Sequence, residues 1–72
     1  MDWTIQERKF TIWCELETKD TLLWLEWNER VFAYRCGISK NGAAGQSHLG
    51  YADSLKEAQS IALELLERLQ SP

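Results

Sequence analysis

Cysteine, histidine and clustered positive charge are scarce in this chain, and each shortage removes a class of function. The two cysteines, Cys14 and Cys36, are too few for a disulfide scaffold and lack Cys-x-x-Cys spacing. In a reducing compartment they are expected as buried free thiols. The single histidine, His48, completes no metal-ligand set. Eight Lys and Arg stand against eleven Asp and Glu, a net charge of -3, so the cation cluster that grips a phosphate backbone is missing. No apolar run approaches the ~20 residues that span a bilayer. Met1-Asp2-Trp3-Thr4 lacks the basic-then-apolar order of a secretory leader. A cytoplasmic protein with no membrane segment, no metal and no cofactor is expected.

What is present is alternation. Seventy-two residues allow a single domain, 1–72, around one core, and at that size a core contributes only a few kcal/mol of net stability. Four tryptophans each need room for a large ring. Trp3 and Ile5 place apolar side chains at odd positions, whereas Phe10, Ile12, Cys14 and Leu16 place them at even ones. The parity changes at Glu7-Arg8-Lys9, which has no Gly, Asn or Asp for a tight turn. The favoured reading is one long strand with a β-bulge; a short separate first strand is the alternative.

Lys19-Asp20 and Asn28-Glu29 then read as two-residue hairpin loops. The first would set Cys14 opposite Leu25, Leu16 opposite Leu23 and Ile12 opposite Trp27; the second would set Leu25 opposite Phe32 and Leu23 opposite Tyr34. All of these share one face, the consistency a correct register requires. The opposite face would pair Trp13 with Glu26, Trp24 with Glu15 and Ala33, Leu22 with Glu17 and Arg35, and Glu26 with Val31, leaving Trp13 and Trp24 diagonal neighbours.

Ser39 to Ser47 reads as a polar, glycine-containing loop, and His48 to Ala52 as a short fourth strand or an extended connection. Ser54-Leu55-Lys56-Glu57 is a capping box opening a helix that runs to about Leu69. Leu55, Ala58, Ile61, Ala62, Leu65 and Leu69 form its apolar stripe, with Glu57, Glu64, Glu67 and Arg68 on the solvated side. The fold class is therefore α+β: a three- to four-stranded antiparallel β-meander with one C-terminal α-helix packed on one face. A helix ~10–12 Å wide can cover one side of such a sheet and not both.

The bare side carries the candidate site. Trp13, Trp24, Leu22 and Val31 form an apolar patch rimmed by Glu15, Glu17 and Glu26. Scattered residues that merely stabilise the sheet are one reading. A protein-binding or self-association face is the other, since contiguous aromatic patches with polar rims mark interfaces. The acids would complement a basic partner surface. Gly42-Ala43-Ala44-Gly45 matches the Gly-x-x-Gly loop of KH domains, but that loop joins two helices and this one follows a strand, so it reads as a flexible connection. Cys14, Cys36 and His48 offer no nucleophile with an orienting third group. Glu15 and Glu26 lack a pocket for paired-carboxylate chemistry. No enzyme is expected.

The strands followed by Gly50-Tyr51-Ala52-Asp53-Ser54-Leu55-Lys56-Glu57-Ala58 resemble two groups of proteins. In HicB-type antitoxins a similar Gly…(Thr/Ser)-Leu-x-Glu-Ala segment leads into the helix of a partial double-stranded-RNA-binding-like fold. Small phage and prophage βββα proteins, anti-CRISPR inhibitors among them, show the same order. The first functional expectation is a small non-enzymatic protein that masks a partner's surface, in its sharpest form a phage- or mobile-element-encoded inhibitor of a host nucleic-acid-handling protein, on the grounds of small size, acidic character and absent catalytic groups. A homodimer closing a β-sandwich through the tryptophan face is the second expectation. An antitoxin-like or nucleic-acid-binding module is the third, with Trp13 and Trp24 as stacking platforms and Arg8, Lys9, Arg30 and Arg35 as the positive track. With no basic helix start to hold phosphate, a protein partner is favoured over nucleic acid.

Overall fold

The computed structural model describes residues 2–40 and 42–70, with the side chains of 43, 44, 46, 69 and 70 left aside. Five strands, β1 (Thr4–Glu7), β2 (Thr11–Glu17), β3 (Thr21–Asn28), β4 (Ala33–Lys40) and β5 (Ala43–Tyr51), precede one helix, α1 (Leu55–Gln70). They form a single antiparallel sheet in chain order. The architecture is α+β as expected, but with five strands rather than three or four.

The β2–β3 hairpin has the predicted register: Cys14 pairs with Leu25, Leu16 with Leu23, Ile12 with Trp27 and Trp13 with Glu26. Its two-residue turn is closed by the Thr18 amide, which donates to the Thr21 carbonyl at 2.8 Å. Three other expectations need correcting. The parity change near Glu7 is a hairpin, not a bulge: the Arg8 amide donates to the Thr11 carbonyl at 2.8 Å, and Ile5 pairs with Cys14. A two-residue turn necessarily switches the parity of residues sharing a face, so the shift at Glu7 was a turn signal despite the missing Gly or Asn. Phe10 therefore sits in a turn, 41% exposed, instead of in the core.

The β3–β4 connection has four residues, 29–32, two more than a tight hairpin, and this moves each partner by four, with Leu25 opposite Cys36, Leu23 opposite Ile38, and Trp24 opposite Gly37. Asn28 Oδ1 accepts the Arg30 amide at 2.9 Å, a side-chain turn that begins the loop, and Phe32 completes it at a φ of 54°. Because the displacement is even, each strand keeps its faces; only the partners change. Val31 leaves the ladder and stands 58% exposed in this turn. The expected Ser39–Ser47 loop is instead the end of β4 and the start of β5, Lys40 pairing with Ala43 across a turn in which Gly42 takes a φ of 81°. A register shift opposite Gly37–Ser39 adds one residue to β5. Gly42 and Gly45 thus belong to a β-hairpin.

The inner face holds the core. Cys14, Leu16, Leu23, Leu25, Trp27 and Cys36 are buried against Ala58, Ala62 and Leu66 of α1. Ala58 and Ala62, lacking bulk, let the helix settle on the sheet, where it packs over β3 and β4. Leu66, one turn after Ala62, widens the expected stripe, while the Leu69 side chain lies outside the described residues. At the helix start the Glu57 amide donates to Ser54 Oγ at 3.1 Å, and Glu57 Oε2 accepts the Asp53 amide at 2.9 Å. The box closes one residue earlier than its usual form. Among the described residues no helix is long and apolar enough to cross a membrane.

Candidate functional site on the open sheet face

The helix leaves the opposite face of the sheet uncovered, and side-chain alternation decides what stands there. Along β2 these are Trp13, Glu15 and Glu17; along β3, Leu22, Trp24 and Glu26; along β4, Ala33, Arg35, Gly37 and Ser39. Trp13 and Trp24 stack with ring centroids 5.4 Å apart and planes 3° from parallel. The Arg8 guanidinium sits 5.0 Å from the Trp13 ring centre and that of Arg35 5.6 Å from Trp24. From β1 to β4 the row therefore runs Arg8, Trp13, Trp24, Arg35. Trp13 Nε1 donates to Glu15 Oε1 at 2.9 Å, which fixes the indole in its plane. Stacking, cation–π contact and this hydrogen bond leave both tryptophans half-buried.

Six of the seven predicted site residues, Trp13, Trp24, Leu22, Glu15, Glu17 and Glu26, share this face. Val31 does not join it through the ladder: Glu26 pairs with Arg35, and Val31 reaches the face from the β3–β4 turn. There it lines a shallow concavity of about 290 Å3 with Glu26, Ala33, Arg35 and Leu49. Arg35 belongs to both the row and the concavity. The acid rim is interleaved with arginines, so the face carries both signs of charge.

Leu49 and Tyr51 were missed. Among the described residues they are the most exposed large apolar side chains, at 77% and 82%, and β5 places them on the open face opposite Arg35 and Ala33. The available signal was Asn41-Gly42, a strong hairpin dipeptide, which would have converted the supposed loop into a strand and fixed its alternation. The four cations of the supposed positive track are divided: Arg8 and Arg35 cap the tryptophan row, whereas Lys9 and Arg30 lie 5.4 and 4.4 Å from the Phe10 ring centre. Each indole has an indole and a guanidinium as neighbours, which reduces the ring area open to a base.

On the inner face, Cys36 pairs across the strands with His48. Cys36 is 1% exposed, and burial pushes its thiol above the ordinary range, opposite to what nucleophilic activation requires. Burial likewise raises Cys14, partly offset by the Gln59 amide that donates to its Sγ at 3.7 Å. Among the described residues no three His, Cys, Asp or Glu side chains assemble as a metal site. In comparisons with family models, curated proteins and solved structures, nothing matches this chain.

Proposed function

We propose that the protein is a non-enzymatic binding module that uses its open sheet face to mask a surface on another protein. The observation that carries this reading is the continuity of that face. A stacked, half-buried tryptophan row runs through Arg35 into a concavity edged by exposed Val31 and Leu49. Aromatic and arginine side chains dominate binding hot spots, because they bury large areas at low entropic cost. Exposed aliphatics beside such a row supply the water-excluding contact. Glu15, Glu17 and Glu26 among the arginines would select a partner of mixed, alternating charge and steer its approach. The sharper form, an inhibitor of a nucleic-acid-handling protein encoded by a phage or mobile element, rests on small size and acidic balance.

The test compares capture of partners from the native host by wild type, by the pair Trp13→Gln with Val31→Glu, and by Lys56→Glu on the exposed helix surface. Wild type and the helix variant should retain the same bound protein, and the face variant should lose it while its circular dichroism is unchanged. Equal capture by all three would end this reading.

A further inference from the structure

The two edges of the sheet are built differently. β1 has four residues, ends on Glu7 and is followed by Arg8 and Lys9, the short and charged edge that discourages strand addition. β5 has nine residues and contains no Lys, Arg, Asp, Glu or Pro. Its one irregularity, the register shift opposite Gly37–Ser39, lies towards its start; from Ser47 to Tyr51 the ladder is regular. The Ala52 amide donates to the Phe32 carbonyl at 2.9 Å. By antiparallel alternation His48 and Gly50 turn their backbone groups to β4, and Ser47, Leu49 and Tyr51 turn theirs outward.

We propose that this edge is where two copies of the chain associate, pairing antiparallel from Ser47 to Tyr51 about a two-fold axis at Leu49. The two sheets then become one continuous sheet. Three features fit a second copy. The backbone phase is right: about that axis Leu49 meets Leu49 and Ser47 meets Tyr51, all residues whose amides and carbonyls are turned outward. The strand contains no Lys, Arg, Asp or Glu, and His48 meets Gly50 of the other copy, so self-pairing sets no like charges opposite each other.

The third feature is charge self-complementarity, which an isologous interface requires. A groove of about 180 Å3 above β5 is lined by His48 and Leu49 on one side and by Glu64 and Arg68 of α1 on the other. A two-fold axis normal to the sheet sets the two helices antiparallel, so Glu64 of one copy faces Arg68 of its partner. With α1 over β3 and β4, strand spacing of ~4.8 Å puts the helix axes roughly 19 Å apart. Helices ~10–12 Å wide then leave a gap that glutamate and arginine side chains can span. Both tryptophan rows emerge on the same side of the joined sheet.

Sedimentation velocity on the full chain, paired with amide hydrogen exchange, tests this inference independently of any partner. Wild type should sediment as a dimer at micromolar concentration, with the Ser47, Leu49 and Tyr51 amides protected more strongly as concentration rises. Leu49→Pro removes an outward amide without touching the β4 ladder, the setting in which an edge strand accepts proline. It should be monomeric with unchanged circular dichroism. A monomeric wild type, a dimer whose Leu49 amide exchanges freely, or a folded Leu49→Pro that remains dimeric would overturn the inference. The last two outcomes would direct attention to the tryptophan face.

Discussion

The indole of Trp24 lies across Gly37 on the neighbouring strand, so closely that a Cβ built on the glycine would stand 2.5 Å from Trp24 Cζ2 and 2.9 Å from Nε1. An aromatic ring laid over a strand glycine restores the packing that the missing side chain forfeits. Here it also aligns Trp24 with Trp13. Alanine normally gains stability over glycine in a strand because it restricts the unfolded chain. At position 37 that gain is overridden, since the ring can retreat only by leaving its stack. Gly37→Ala should therefore be destabilising by about 1–3 kcal/mol, read as a fall in thermal midpoint of roughly 4–8 °C per kcal/mol. An unchanged or raised midpoint would show that the ring moves freely.

The stack itself should be measurable as a coupling. A double-mutant cycle with Trp13→Leu, Trp24→Leu and the pair, followed by chemical denaturation, should return an interaction of about 0.5–1.5 kcal/mol beyond the single losses. Arg35→Ala should cost about 0.5–1 kcal/mol more in wild type than in Trp24→Leu, because the cation has lost its ring. Strict additivity would mean that the rings merely lie near each other.

The thiols give a prediction with a definite sign. Burial raises Cys14 and Cys36 in the folded protein, whereas the unfolded chain ionises them near the usual value of about 8.5. The folded state then holds more protons above that pH. The stabilisation from keeping the thiols neutral is complete below the unfolded value and is lost as pH rises through the folded one. Denaturation midpoints should fall on the alkaline side, and Cys14→Ala with Cys36→Ala should flatten that limb. A thiol reagent should modify the native protein only as fast as it opens.

No disulfide should form between these cysteines. Both pair with Leu25, one on each side, which separates them by two strand spacings, roughly 9.6 Å. A disulfide requires Cα atoms within ~7 Å. Mild oxidation followed by mass spectrometry should find no intramolecular bridge in folded protein.

At the helix start, Ser54→Ala removes the acceptor for the Glu57 amide and should cost about 1 kcal/mol. Ser54→Asp should preserve stability, since it keeps an acceptor and adds negative charge at the positive end of the helix. Thermal denaturation distinguishes the two.

How much could be read beforehand follows from what each element depends on. β2, β3 and α1 were legible because Cys14, Leu16, Leu23, Leu25, Ala58 and Ala62 carry their own periodicity, and one two-residue turn set the register between the strands. The Trp13–Trp24 contact followed from that same register. The β3–β4 pairing was not legible in the same way. It depends on the Asn28 side chain capturing the Arg30 amide and on Phe32 adopting a left-handed conformation, which hydrophobic spacing does not encode. Only the end of β5 was legible, as the short strand offered for His48 to Ala52, because its outward residues, Leu49 and Tyr51, are the apolar ones while its inward positions are His48 and Gly50. Its amphipathic sense is inverted relative to β2 and β3, and Gly50 makes room for Tyr34, whose hydroxyl would lie 2.5 Å from a Cβ there. The open face was consequently legible at its centre, where Trp13 meets Trp24, and not along the β4–β5 side.

Strand order along the sheet repeats chain order, so every strand pairing closes over a single turn. Little loop entropy is spent before contacts form, and the meander can assemble by successive zipping, from whichever hairpin appears first. Only the docking of α1 joins distant parts of the chain, as Gln59 does with Cys14. The helix contacts are therefore expected to form last, after the strands have paired, and substitutions at Ala58 or Ala62 should speed unfolding far more than they slow folding.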